Sequence, residues 1–167
     1  EVPEVITVAA GIRMRVEEFG APLRKFQKLY PDVRISLQGA DVQHAQDAVA
    51  GGEADIAFLL DPPPRSTRRN LRYDPSYAID YLAVYPKKHR FASKPSVRIQ
   101  DLVSEPLITG HSGTVGRQLL EQTLYREGLL PKLKVAVETD NSAVTIACVH
   151  AGMGVGIVGG HAHGPLM

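Results

Sequence analysis

The stretch VITVAA, residues 5–10, is apolar except for Thr7 and rich in β-branched side chains. A run of this kind is typical of a strand that is buried on both faces, as strands of parallel sheets are. It predicts an α/β fold with helices on both sides of the sheet.

Helix and strand patterns alternate after this strand. Apolar side chains that share one helical face recur every three or four residues: Val16, Phe19, Leu23, Phe26 and Leu29. Pro22 is predicted either to kink this helix or to lie in its first turn. A second strand over residues 33–37, a short helix ending near residues 51–52 and a third strand over residues 54–60 follow. This order predicts right-handed crossovers and a parallel sheet.

The alternation stops at residues 61–64, DPPP, and resumes after residue 105. Four arginines at positions 65, 68, 69 and 72 lack apolar periodicity, which predicts a solvated basic loop. Strands are expected over residues 70–74 and 77–85. Beyond them we expect a strand, a helix, a strand, a helix and a strand over residues 106–109, 114–127, 133–138, 142–151 and 155–158.

Two similar Rossmann-like α/β lobes are therefore predicted. Residues 1–80 form the first lobe, with residues 159–167 heading back to it, and residues 81–158 form the second. A strand over residues 78–84 is expected to cross between the lobes and to act as their hinge.

Composition excludes several classes of protein. The 167 residues carry 19 Lys+Arg and 18 Asp+Glu, a net charge of +1, which argues against a broad basic face for nucleic acid. No apolar run approaches the roughly 20 residues that cross a bilayer, so no membrane partner is expected. The single cysteine, Cys148, gives no sign of an oxidising compartment, so we expect a cytoplasmic location.

Ligands of open α/β sheets bind beyond the carboxyl ends of the strands, where helix N-termini offer unpaired N–H groups. A cleft between two facing lobes would place four such segments around a small molecule. The predicted ligand-binding residues are Gly11, Ile12, Arg13, Met14, Gly39, Ala40, Asp41, His111, Ser112, Gly113, Thr114, Val115, Thr139 and Asn141.

Simpler interpretations exist for most of these positions. Residues 112–114 form either an anion cradle or an ordinary N-cap, and residues 139–142 allow the same two interpretations. Gly39 either contacts ligand or supplies an unusual backbone angle. Arg13 either reaches the ligand or lies on the solvated face of its helix.

No catalytic or metal-binding motif is evident. His161 and His163 share a strand face but lack supporting ligands elsewhere, and Cys148 lies among apolar helical neighbours like a small buried hydrophobe. No P-loop, nucleophile elbow or dinucleotide fingerprint is present. We expect neither a metal nor a cofactor nor an enzyme.

The order of these features resembles the effector-binding domain of LysR-type transcriptional regulators, which has the two-lobed fold of type II periplasmic binding proteins. The stretches that carry the resemblance are FQKLYPDV (26–33), GGEADIA (51–57), YPKKHRFA (85–92), DLVSEPLI (101–108) and AGMGVGI (151–157).

Within that family the chain most resembles the cysteine-regulon activators, through residues 106–109, 116–117 and 138–140. In those proteins, hydroxyl-bearing residues after the first strand help to hold an oxyanion. Residues 11–14 here carry no hydroxyl, which argues against sulfate as the ligand, although Arg13 could contact another anion.

The resemblance implies a sensor that binds a small anionic metabolite between two lobes and thereby alters DNA binding by its parent protein. It implies that the DNA-binding domain is absent and that this is a fragment which ends before its last return to the first lobe. It also implies a homodimer or tetramer that buries the first long helix.

Two other functions compete with this interpretation. A periplasmic solute-binding protein of a transport system would share the two-lobed fold and would be distinguished by an upstream signal peptide. A related enzyme would need a catalytic group among the few near the cleft, Asp41, His111 and Asp140, and none of them has an evident partner.

Overall fold

Two α/β units make up the chain in the computed structural model, which describes residues 2–62 and 64–162. The first unit is Glu1–Tyr77 and the second is Ala78–Met167, a division three residues before the predicted boundary. Gly159 and Gly160, expected to head back to the first lobe, end a strand of the second unit. Residues 163–167 lie outside the described residues, and the domain assignment stays a prediction.

The first unit follows the predicted alternation. Its elements are β1 (Val5–Ala10), α1 (Ile12–Glu17), α2 (Gly20–Leu29), β2 (Arg34–Gly39), α3 (Val42–Ala50) and β3 (Ile56–Phe58). The three strands are parallel in the order β2-β1-β3.

Strand β1 is central, and both of its faces are covered. Val8 and Ala10 pack with Phe19, which lies between α1 and α2, whereas Ala9 faces the opposite way and packs with Ala45 of α3. Because successive strand side chains point to opposite faces, only a continuously apolar strand can supply apolar side chains to the core on both faces of the sheet. This explains the VITVAA stretch.

The first helix is split in two, which the apolar spacing did not predict. Helix α1 ends at Glu17 and α2 begins at Gly20, with Pro22 in its first turn, so the first-turn alternative for this proline is correct. Proline has no N–H to donate to the carbonyl of residue 18, so a continuous helix would lose a hydrogen bond there. Val16 consequently lies on a separate short helix and is exposed.

The second unit contains β4 (Asp80–Val84), α4 (Ile99–Leu102), β5 (Leu107–Gly110), α5 (Val115–Arg126), β6 (Val135–Thr139), α6 (Ser142–His150) and β7 (Val155–Gly160). Its sheet has the order β4-β7-β5-β6, with β4 antiparallel to β7 and the other pairs parallel. Phe91, Leu107, Leu124 and Val155 are among its core residues and are almost completely buried.

The strand expected over residues 70–74 is not formed. Tyr73 instead ties this irregular segment to α3, because its hydroxyl donates to Gln46 Oε1 at 2.6 Å and accepts from the Arg68 N–H at 2.9 Å. Arg68 also pairs with Asp47 of α3 at 2.7 Å, so part of the basic loop is anchored rather than simply solvated. Satisfying the fully buried Gln46 side chain outweighs the β propensity of the segment.

Within residues 2–62 and 64–162, no helix is both long enough and apolar enough to cross a membrane.

Candidate functional site

The carboxyl edge of the first sheet brings Gly11, Gly39 and Ala40 together. Ala10 is in register with Gly39, and the Ala40 N–H donates to the Ala10 carbonyl at 3.2 Å. Gly11 is the N-cap of α1 and Ile12 is its first residue. Met14 packs against the core of Val8, Ala10 and Phe19, so its side chain helps to hold α1 on the sheet.

Arg13 is engaged by two carboxylates of its own segment. Its guanidinium lies 3.5 Å from Glu17 Oε2 and is also paired with Glu18, and its side chain is only 12% exposed. The solvated-face interpretation is therefore wrong. The two carboxylates also compensate the positive charge of Arg13, which would otherwise attract a ligand anion.

Arg15 lies at this edge although the sequence did not single it out. Its guanidinium rests against the backbone of Gly39, so that a Cβ added at Gly39 would lie 2.7 Å from Arg15 Nη2. Gly39 has no positive φ, so it is required for this close approach and not for an unusual backbone angle. No sequence spacing could reveal the contact, because the register of β2 beside β1 creates it.

Asp41 is the N-cap of α3. Its Oδ1 accepts from the His44 N–H at 2.8 Å, and its Oδ2 lies 2.8 Å from His44 Nδ1. Partial burial acts to raise the pKa of the Asp41 carboxyl, but the hydrogen bonds from His44 outweigh it and lower that pKa below its ordinary 3.8. The same contact, chiefly the side-chain hydrogen bond, raises the pKa of His44 above its ordinary 6.5.

In the second unit, the corresponding turn leads into α5, and Thr114 is the N-cap of that helix. Its hydroxyl donates to the His111 carbonyl at 2.8 Å and accepts from the Arg117 N–H at 3.4 Å. Ser112 is exposed, and Gly113 is exposed with a φ of 89°, a backbone conformation that favours glycine. Val115 is the first residue of α5. The N-cap interpretation of this segment is therefore correct, and contact with a ligand stays a prediction.

Arg117 is a second residue that the predicted ligand set lacks. Its Nη1 donates to Thr109 Oγ1 and to Glu138 Oε1, both at 3.0 Å, and its Nε donates to Glu121 at 2.7 Å. His111 Nδ1 lies 3.8 Å from the other oxygen of Glu138. Because β5 and β6 pair side by side, Arg117 bridges the ends of both strands.

The hydroxyl of Thr139 is also committed to the fold. It lies 2.6 Å from Thr145 Oγ1 and 3.3 Å from the Asn141 carbonyl, and Thr139 is 5% exposed. Asn141 caps α6, since its Oδ1 accepts from the Val144 N–H at 3.0 Å. The buried Ser142 hydroxyl oxygen has no hydrogen-bond partner among the described residues. Register places Thr139 beside Gly110 of β5, so the two predicted segments of this unit meet at one edge.

The described residues contain no group of three His, Cys, Asp or Glu side chains that could hold a metal ion. His161 lies within them, whereas His163 lies outside. Cys148 is half-buried within α6 and is not in a disulfide.

A family profile described as the LysR substrate binding domain matches residues 17–167. The HTH-type transcriptional regulator CysB of Burkholderia cenocepacia is 29% identical over 161 residues, covering 96% of this chain and 50% of the relative. The regulator SsuR of the same species is 26% identical over 144 residues, covering 86% and 45%. The chain spans about half the length of the curated relatives it matches.

Solved structures agree with this match at the level of fold. The cofactor-binding domain of the Cbl transcriptional regulator has a TM-score of 0.83 at 24% identity, covering 96% of this chain and 69% of that one. The regulatory domain of Synechocystis PCC6803 CcmR in complex with 2-PG scores 0.77 at 19% identity, covering 93% and 72%. The effector-binding domain of QuiR in complex with shikimate scores 0.81 at 14% identity, covering 95% and 74%.

These neighbours are effector-binding domains of LysR-type regulators, which have the type II periplasmic-binding-like fold, so the predicted fold class is confirmed. The predicted resemblance is confirmed as well, because the relatives are transcriptional regulators and include CysB. A regulatory, ligand-sensing role is thereby supported over the transport alternative.

Proposed function

This chain belongs to the LysR substrate-binding domain family, and we propose that it senses a small anionic effector on behalf of a transcriptional regulator. The observation that carries the proposal is the family match, which extends over residues 17–167 and so covers the second unit and residues 17–77 of the first. Similar effector domains hold 2-PG and shikimate, and the latter carries a carboxylate.

The residues that we propose for effector contact lie at the carboxyl edges of the two sheets. In the first unit they are Gly11, Ile12, Arg13, Met14, Gly39, Ala40 and Asp41. In the second unit they are His111, Ser112, Gly113, Thr114, Val115, Thr139 and Asn141. Since the hydroxyls of Thr114 and Thr139 are used internally, backbone N–H groups would supply most of the contacts there.

Effector binding would act on the parent protein by favouring one of its conformations. DNA contact would come from a part of the parent outside this chain, whose net charge of +1 offers no broad basic face. The proposal places the protein in the cytoplasm and assigns it no enzymatic reaction, in keeping with relatives that are transcriptional regulators.

We also propose that copies of this chain associate as a homodimer or a tetramer. Apolar side chains are exposed at the end of α2, where Leu29 is 66% exposed and is followed by the exposed Tyr30. A separate apolar groove of about 250 Å³ in the second unit is lined by Leu82, Leu119 and Ile157, among others. Measuring the molecular mass in solution for the wild type and for Leu29→Glu tests this proposal.

A thermal-unfolding screen tests the sensing function. Sulfate, O-acetylserine, shikimate and benzoate are each added to the chain, with sodium chloride at matched ionic strength as the control. A ligand present at about 100 times its Kd stabilises the folded state by about 2.7 kcal/mol, which corresponds to a rise of several degrees in Tm. If no member of the panel raises Tm above the salt control, the anionic effector is wrong.

Transport and regulation are separated by the gene upstream of residue 1. A regulator encodes a helix-turn-helix domain there, whereas a solute-binding protein encodes a signal peptide. Finding a signal peptide would overturn the regulatory proposal even if an anion binds.

A further inference from the structure

We infer that Arg15 is the cation of the first unit that binds the oxyanion group of the effector, a carboxylate, sulfonate or phosphate. This inference rests on the proposed function and deepens it by naming the recognising residue and the chemical group recognised. Arg13, the arginine in the predicted ligand set, already has its charge compensated by Glu17 and Glu18.

Arg15 carries a hydrogen-bond donor that the described residues leave unsatisfied. Within residues 2–62 and 64–162, its buried Nε has no hydrogen-bond partner and no carboxylate pairs with its guanidinium. A buried donor left unsatisfied costs free energy, so a shift of the side chain that brings this donor to a ligand acceptor removes that cost. The planar guanidinium fork matches an oxyanion with two parallel hydrogen bonds.

The fold holds this guanidinium at the carboxyl edge of the sheet. Gly39 ends β2 beside Ala10, and the absence of a Cβ at Gly39 lets the Arg15 guanidinium lie close to the strand end. An added Cβ would meet Nη2 at 2.7 Å, Cζ at 3.3 Å and Nη1 at 3.6 Å. Gly39 therefore acts through Arg15, as a positioning residue.

Three variants separate this role from a structural one. Arg15→Gln removes the charge, and Gly39→Ala retains the charge but displaces the guanidinium, at little cost in stability because the displaced group is the end of a flexible side chain. Arg34→Gln is the matched control, since Arg34 is an exposed arginine at the opposite end of β2.

Affinity is measured by isothermal titration calorimetry with the anion that raises Tm most in the screen, and with the methyl ester of the same compound when the anion is a carboxylate. Arg15→Gln is expected to weaken binding of the anion about 10- to 100-fold and to abolish any preference for the acid over its ester. Gly39→Ala is expected to weaken binding about 10-fold, and Arg34→Gln less than about 2-fold.

An anion that binds Arg15→Gln and Gly39→Ala as tightly as the wild type overturns this inference and leaves the proposed function standing. A panel in which no anion binds the wild type overturns both. Should Arg15→Gln fail to fold, Gly39→Ala decides alone: unchanged affinity rejects the role of Arg15, and a loss with normal unfolding supports it.

Discussion

The two sheets end in edges that are built differently around an arginine. At the edge of the second unit, Arg117 is 11% exposed and bonded to Thr109, Glu121 and Glu138. At the edge of the first unit, Arg15 has no such partner in the part of the chain that the structure describes, and it lies against the backbone of Gly39. The same residue type is thus part of the scaffold in one unit and an unsatisfied donor in the other.

The difference shows that position at a strand's carboxyl end does not by itself make a residue available to a ligand. The hydroxyls of Thr114 and Thr139 also lie at an edge, yet both are used for capping or internal bonding. Availability depends on whether neighbouring side chains have already satisfied the group. Substitutions at both edges test that distinction.

Arg117→Met is expected to produce the largest loss of stability. It leaves Glu138 and Glu121 without their cation and the nearly fully buried Thr109 hydroxyl without its donor, so the free energy of unfolding should fall by about 2 kcal/mol. Urea unfolding followed by circular dichroism measures this change. Arg15→Gln is the control and should change it by less than about 0.5 kcal/mol. If the free energy of unfolding fell equally in the two variants, the proposed difference between the two edges would be wrong.

Thr139→Val is expected to have a smaller effect, a loss of about 1 kcal/mol, because it removes one buried hydroxyl pair while Thr145 keeps its bond to the Asn141 carbonyl. Ser142→Ala is the matched control, since the buried Ser142 hydroxyl has no partner among the described residues. Its free energy of unfolding should stay near that of the wild type or rise. A larger loss in Ser142→Ala than in Thr139→Val would contradict the bonding described for this edge.

The pair of Asp41 and His44 in the first unit should show the smallest effect, a change in titration. The pKa of His44 should exceed 6.5, and Asp41→Asn should lower it, because the side-chain hydrogen bond to Asp41 is the largest cause of the rise. The raised pKa of His44 adds stability below pH 6.5 that is lost as pH rises through its folded pKa. The lowered pKa of Asp41 adds stability above pH 3.8 that is lost as pH falls through its folded pKa. The Asp41–His44 pair therefore adds most to the stability of the fold between pH 3.8 and pH 6.5. NMR titration of the His44 ring measures its pKa in the wild type and in Asp41→Asn.

Sequence reasoning succeeded where one local pattern dominates. The bounds predicted for β1 match the structure, and the Thr114 and Asn141 caps lie in the two segments for which an N-cap was predicted. It failed where a second influence outweighs that pattern, either a proline within the segment or a partner far along the chain. The apolar spacing across residues 16–29 suggested one helix, and residues 70–74 suggested a strand, but Pro22 and the Tyr73–Gln46 contact prevailed.

The amino-acid sequence by itself determined the alternating α/β architecture and the family, because both depend on short apolar periods and motifs that lie along the chain. Only the tertiary structure decided which polar groups at the sheet edges are already satisfied. Pairing of β1 with β2 brings Gly39 to Arg15, and pairing of β5 with β6 brings Glu138 to Arg117. These partners are separated by more than twenty positions, so no local pattern records whether each arginine meets a carboxylate or a bare strand end.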